Sequence, residues 1–162
     1  MTGIRVGFGY DSHRFAEDER KLVLGGVEFP GEKGLKGHSD ADVLIHAIID
    51  ALLGAAALGD IGSHFPDTDE KWRGADSARL LAAVVSEVRT AGYEIGNIDA
   101  TVICERPRIG GRIGEIRERL AAIMGIDVAT VSVKGKTNER MDDIGAGMGI
   151  AVHAVCLITS GK

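Results

Sequence analysis

Apolar positions recur along the chain with two distinct spacings. The densest run is "SDADVLIHAIIDALLGAAALG" (39–59), where residues 43–53 are almost wholly apolar apart from His46 and Asp50. Ser39, with Asp42 three residues on, predicts an N-cap and helix start there. A second helix begins at Asp76 or Ser77, with Leu81, Val84, Val85 and Val88 at the 3.6-residue period. Ile113, Ile116, Leu120 and Ile123 mark a third, ended near Gly125. Short runs with alternating or β-branched apolar residues predict strands over 3–9, 95–104, 128–136 and 149–158. "KLVLGGVEFP" (21–30) predicts a hairpin around Gly25 and Gly26. The polar stretches 31–37 and 60–75 are expected to be loops, and the length of the second suggests a functional one. No linker divides the chain. The order β, β-hairpin, α, α, β, α, β, β predicts one α/β domain over 1–162, an α+β two-layer sandwich with a mixed β-sheet and helices on one face.

Composition narrows the field of functions. The chain has 162 residues, 27% charged, with a net charge of −5 and no basic block, so no nucleic-acid partner is expected. No apolar run approaches the ~20 residues of a bilayer span, so no membrane partner is expected either. Cys104 and Cys156 lie inside apolar runs without CxxC spacing, which suggests reduced thiols and a cytoplasmic protein. The glycine-rich start "GFGYDS" lacks the last glycine of a dinucleotide fingerprint.

The candidate chemistry begins at "GYDSHRF" (9–15). Asp11 and His13 are two apart, so in a strand they face the same side. His46 lies in a helix too apolar to be solvated, with Asp42 and Asp50 four residues to either side on the same face. A buried imidazole needs partners, and those carboxylates are candidate second-layer acceptors. Asp11, His13 and His46 together would make a three-ligand site, the composition of a zinc centre with an open fourth position. Spacing alone also allows a chance Asp-x-His pair and a helix histidine with acidic neighbours. His38 and Ser39, at the expected helix start, suit a phosphate on free backbone N–H groups, unless Ser39 is only a cap. "DIGSHFPDTD" (60–69) reads as a substrate loop or as a solvated acidic turn. "KGKTNER" (134–140) offers lysines and Thr137 to phosphate and Glu139 to a hard cation, or is a charged surface loop. No side-chain nucleophile paired with a base is evident.

Taken together, "GYDSHRF", "HSDADVLIHAIIDALLGAAALGDIGSHFPDTD" (38–69), "ERPRI" (105–109) and "KTNE" (136–139) closely resemble the 2-C-methyl-D-erythritol 2,4-cyclodiphosphate synthases of the non-mevalonate isoprenoid pathway. The resemblance implies a metal-dependent lyase. It would convert 4-diphosphocytidyl-2-C-methyl-D-erythritol 2-phosphate to the cyclic diphosphate plus CMP, the substrate's own 2-phosphate attacking the β-phosphorus. By resemblance Asp11, His13 and His46 bind Zn2+, one per subunit, and Glu139 binds Mg2+ or Mn2+ with the substrate. His38 and Thr137 correspond to residues that stabilise the transition state, and Ser39 to one on the 2-phosphate. Asp60, Ile61 and Gly62 fall at the ribose. Phe65, Pro66, Asp67, Thr68 and Asp69 fall over the methylerythritol part. Cys104, Glu105, Arg106, Pro107, Arg108, Ile109 and Gly110, with Gly135, Lys136 and Thr137, align with a cytosine pocket read mostly by backbone. The resemblance further implies a homotrimer with active sites between subunits; some members are fused to a cytidylyltransferase, and the synthase motif so near Met1 suggests a chain of single function. A metal-dependent phosphohydrolase using a zinc-bound water and a non-enzymatic trimeric binding module are the alternatives of other classes. One stretch departs from the family: "RMDDIGAGMG" places Asp143, Ala146 and Met148 where an aromatic residue, an arginine and a glutamate are common. An anion in the axial cavity of such a trimer is therefore not expected here.

Overall fold

A computed structural model describes residues 3–160, so the ends of the expected 1–162 domain lie outside the described residues. Strand β1 spans Ile4–Arg14, β2 Lys21–Leu24, β3 Val27–Lys33, β4 Tyr93–Ile103, β5 Val131–Lys136 and β6 Gly149–Ser160. Helix α1 spans Val43–Ala56, α2 Ile61–His64, α3 Ser77–Thr90, α4 Ile113–Met124 and α5 Asp142–Gly145. Four strands form one mixed sheet in the order β1-β6-β4-β5, antiparallel except for the β4/β5 pair. β2 and β3 form a separate hairpin, turning on Gly25 and Gly26 with φ of +63° and +73°, the two-residue turn that matches strand twist.

Alternation along β1 decides which face does what. Gly7 and Gly9 are buried against the helical layer, and Asp11 and His13 continue on that face. Ile4, Val6, Phe8 and Tyr10 point the other way and are 66%, 65%, 60% and 50% exposed. The sheet thus has one face covered by helices and one bare apolar face, as the two-layer expectation held. Helix α1 is the centre of the covered layer and buries eleven of its fourteen residues. It lies against β1 at backbone contact distance. A Cβ added at Gly7 would sit 1.8 Å from the Ala51 carbonyl oxygen, and one at Gly9 1.9 Å from that of Ala47. Only glycine permits such an approach.

Several boundaries differ from the sequence expectation. Ser39 does not cap α1. Ala41 has φ +58°, which interrupts any helix through 39–42, and the cap is Asp42, whose carboxylate accepts from Ile45 N. The same carboxylate accepts from Gly25 N at 2.9 Å and Gly26 N at 2.7 Å, tying the hairpin turn to the helix start. Its complete burial pushes the Asp42 carboxyl up to about 6. β1 runs past residue 9 to Arg14, and residues 31–33 extend β3 rather than forming loop. The 60–75 stretch contains α2, capped reciprocally by Asp60 and Ser63, and a 3-10 turn at Glu70–Trp72. Residues 128–130 are a 3-10 turn before β5. Asp76 caps α3, and Gly125, left-handed at φ +64°, ends α4.

Candidate metal centre

Asp11 and His13 project from the covered face of β1 and meet His46 from α1. Asp11 Oδ2 lies 3.1 Å from His13 Nε2 and 3.1 Å from His46 Nδ1, and the two ring nitrogens are 3.3 Å apart. A tetrahedral ion with bonds of about 2.0–2.1 Å has ligand atoms roughly 3.3 Å apart, so this triangle fits zinc in size as well as in donor type. Among the described residues it is the one cluster of three or more such groups close enough to share an ion. The electrostatics agree. Burial opposes ionisation of Asp11, yet the close approach of the His13 and His46 rings outweighs it and holds the carboxyl far below the usual range. Burial lowers the basicity of His13, but its bond to Asp11 more than offsets this, and the His13 pKa is raised.

Two of the three residues are held from behind. Asp11 Oδ1 accepts from Ser12 N at 2.8 Å. His46 Nε2 lies 3.2 Å from Ser39 Oγ and 3.0 Å from Ser77 Oγ. These hydroxyls replace the carboxylates expected from spacing. Asp42 is engaged by the three backbone N–H groups at the hairpin and helix start, and Asp50 accepts from Ile61 N at 2.7 Å. A helix face groups residues by angle, but the bonds they make depend on what stands opposite.

The triangle opens into a cavity of about 430 Å3 lined also by His38, Ser39, Ile61, Gly62, Phe65, Pro66 and Asp67. Gly37, Trp72 and Leu80, not singled out from sequence, complete it. His38 Nε2 donates to the Asp69 carbonyl across 3.3 Å, which joins the two rims of the cavity. Because α1 starts at Val43, His38 and Ser39 are not at its N-terminus, contrary to the expectation from sequence; both residues reach the cavity from a loop. The carboxylates of Asp60 and Asp69 cap α2 and the 3-10 turn, their pKa values lowered first by the backbone N–H groups of Ser63 and Lys71. Neither they nor Thr68 line the cavity.

A second cavity, about 310 Å3, gathers Cys104, Glu105, Pro107, Arg108, Ile109, Gly110, Gly135, Lys136 and Thr137 at the ends of β4 and β5. Arg106 turns instead toward a neighbouring hollow with Arg140 and Ala146. Burial pushes the Cys104 thiol up to about 11, so it is a neutral packing group. Glu105 accepts from Asn138 N and Arg140 N and thereby holds the turn that carries Glu139. Glu139, left-handed at φ +51°, takes the Thr137 hydroxyl at 3.1 Å and stands apart from the metal triangle. On the bare face, Tyr10, Ser12, Arg14, Asp142, Asp143 and Met148 surround a third hollow, where Arg14 pairs with Asp143 at 3.1 Å.

β1, β4 and β5 run the same way, so both cavities lie at one end of the sheet. They sit at opposite edges of it and share no lining residue. Fold and site define the class: an α/β protein with two histidines and one carboxylate placed to hold a metal ion at the mouth of a cavity. The chain belongs to the YgbB family, whose model matches residues 4–159. It is 56% identical over 159 residues to the 2-C-methyl-D-erythritol 2,4-cyclodiphosphate synthase of Brachyspira hyodysenteriae, covering 98% of this chain and 100% of that one. Among solved structures it is similar to the bifunctional IspDF of Campylobacter jejuni (TM-score 0.95, 39% identity), covering 99% of this chain and 43% of that longer one. It is also similar to a CDP complex of Plasmodium falciparum IspF, with TM-score 0.86, 34% identity, and 99% and 98% coverage.

Proposed function

We infer that the protein is a 2-C-methyl-D-erythritol 2,4-cyclodiphosphate synthase, a lyase of non-mevalonate isoprenoid biosynthesis. The observation that carries this reading is the Asp11–His13–His46 triangle opening onto the cavity of His38, Ser39 and the 61–67 loop. In the reaction a 2-phosphate oxygen bonds to the β-phosphorus of the same molecule. The bond from that phosphorus to the oxygen it shares with the α-phosphorus breaks, and CMP leaves with that oxygen. No protein nucleophile is required, which suits the neutral Cys104 and a site without a nucleophile–base pair. A zinc ion in the triangle supplies Lewis acidity toward a phosphate oxygen when bound. The chain's own part is positioning and charge. Ser39 offers a hydroxyl toward the 2-phosphate, and His38 and Thr137 offer donors where negative charge builds. Glu139 offers the carboxylate for Mg2+ or Mn2+. Phe65 and Pro66 cover the apolar side of the methylerythritol unit, with Asp67, Thr68 and Asp69 around them. Asp60, Ile61 and Gly62 face the ribose, and the Cys104–Gly110 segment with Gly135 and Lys136 forms the cytosine pocket.

The assembly we propose is a homotrimer. Metal-side and cytidine-side cavities stand at opposite sheet edges, so one extended substrate is served when the metal edge of one copy meets the cytidine edge of the next. The apolar stripe Ile4, Val6, Phe8 and Tyr10 on the bare sheet face supplies an interior for copies around an axis. The reading extends to a cytoplasmic enzyme, where buried thiols such as Cys104 and Cys156 stay reduced.

Phosphorus NMR tests the reaction. Incubated with the diphosphocytidyl substrate, Zn2+ and Mg2+, the protein is expected to yield CMP and the cyclic diphosphate in equal amounts. Release of CMP with an open-chain phosphate product instead makes it a phosphohydrolase and refutes the inference.

A further inference from the structure

We propose that Ser77, held by Asp40, is a positioning residue of the metal centre, accepting the Nε2 proton of His46 so that the Nδ1 lone pair faces Asp11 and His13. The argument is a count of protons. Ser77 is fully buried at the start of α3. Its hydroxyl has one hydrogen, and an ionised carboxylate only accepts. Asp40 Oδ1 takes that hydrogen, while Asp40 Oδ2 accepts Ser77 N at 3.0 Å. The carboxylate thus grips the serine by both its donors, and the hydroxyl cannot turn its hydrogen elsewhere. Toward His46 Nε2, 3.0 Å away, Ser77 Oγ can then only accept. The ring must carry its hydrogen at Nε2, and Nδ1 is left free to bind a cation.

Two further observations separate this from a purely local role. Ser77 is not needed as a helix cap, because Asp76 accepts Ala78 N at 2.9 Å and does that work. The other hydroxyl at Nε2, Ser39 Oγ at 3.2 Å, accepts from Ala41 N, and among the described residues no carboxylate holds its hydrogen. Ser39 therefore keeps a donor for the cavity, whereas Ser77 has given its own away. The relay joins three segments distant in sequence: the 38–42 loop, α1 and α3.

The inference rests on the metal reading of the triangle, and its test separates the two. Zinc affinity of the purified full chain is measured by competition with a chromogenic chelator for the native protein, Ser77→Ala, Ser77→Thr and His46→Ala. Ring nitrogen shifts of His46 are recorded by NMR on metal-free native protein and Ser77→Ala at about pH 8, above the ordinary imidazole range. Loss of a partner behind a metal ligand is expected to weaken zinc binding by roughly 10–100-fold. Ser77→Ala should show this loss together with a shift of His46 away from the Nε2–H tautomer. Ser77→Thr, which keeps the hydroxyl, should recover most of the affinity. If Ser77→Ala binds zinc like the native protein while His46→Ala does not, this inference fails and the metal centre stands. If His46→Ala also binds like the native protein, the metal reading falls and takes this one with it. Should Ser77→Ala not fold, the metal-free native protein decides alone, since His46 as the Nδ1–H tautomer contradicts the proton count.

Discussion

Gly9→Ala is the substitution in which fold and chemistry are most tightly bound. The added Cβ would lie 1.9 Å from the Ala47 carbonyl oxygen and 2.8 Å from Ala51 N, both backbone atoms of α1. Neither can swing aside as a side chain would. Relief to an ordinary contact of about 3.2 Å requires strand and helix to part by roughly 1.3 Å. Asp11 and His13 lie on the same strand two and four residues beyond, and His46 adjoins Ala47 on the helix, so the separation falls almost directly on the triangle. Its edges of 3.1–3.3 Å would open well past what one small cation spans. Overpacking of this kind costs about 1–3 kcal/mol of stability. Misplacing ligands by an ångström is expected to cost about 100-fold in turnover. Denaturant unfolding reads the first effect, and chelator competition with zinc reads the second. Gly114→Ala, where an added Cβ meets nothing within 4 Å and φ is not positive, is the control for replacing a glycine without a clash. If Gly9→Ala holds zinc and turns over like the native protein, close contact between β1 and α1 is not what assembles the site.

Asp42 and the bare sheet face give two more expectations. The Asp42 pKa, raised by burial from 3.8 to about 6 in the folded state, means that its effect on stability is most favourable below pH 3.8 and is lost as pH rises through 6. Asp42→Asn abolishes that pH dependence and adds a constant cost for the Gly26 N–H it no longer satisfies. A stability difference from the native protein that stays flat between pH 4 and 7 would contradict the burial argument. Phe8→Glu places a charge in the apolar stripe once per copy, and light scattering should find monomers with native circular dichroism and no turnover. A trimer that survives this change locates the interface elsewhere.

Much of the site was legible because parts of it are local. The two-residue spacing of Asp11 and His13 needs only strand geometry to put them on one face, and β1 bears that out. The hairpin at Gly25 and Gly26 and the left-handed end of α4 at Gly125 likewise follow from what glycine allows. His46 was a candidate third ligand because its helix is too apolar to leave an imidazole solvated, and the resemblance named it too; spacing could not show that it meets β1, since His13 and His46 are 33 residues apart.

Tertiary structure decided what local pattern could not. Ser39 was the expected cap with Asp42 its partner three residues on; the left-handed backbone at Ala41 and the hairpin turn docking on Asp42 moved the cap to Asp42. Asp76 and Ser77 were interchangeable at the start of α3 until Asp40 and His46 claimed the serine. The tandem of two capping residues was the one sequence signal that a hydroxyl there was spare. Periodicity is written into the backbone and survives in any fragment. A metal triangle is a set of distances between elements, set by how closely β1 and α1 approach, and that approach exists only once the layers have packed across Gly7 and Gly9.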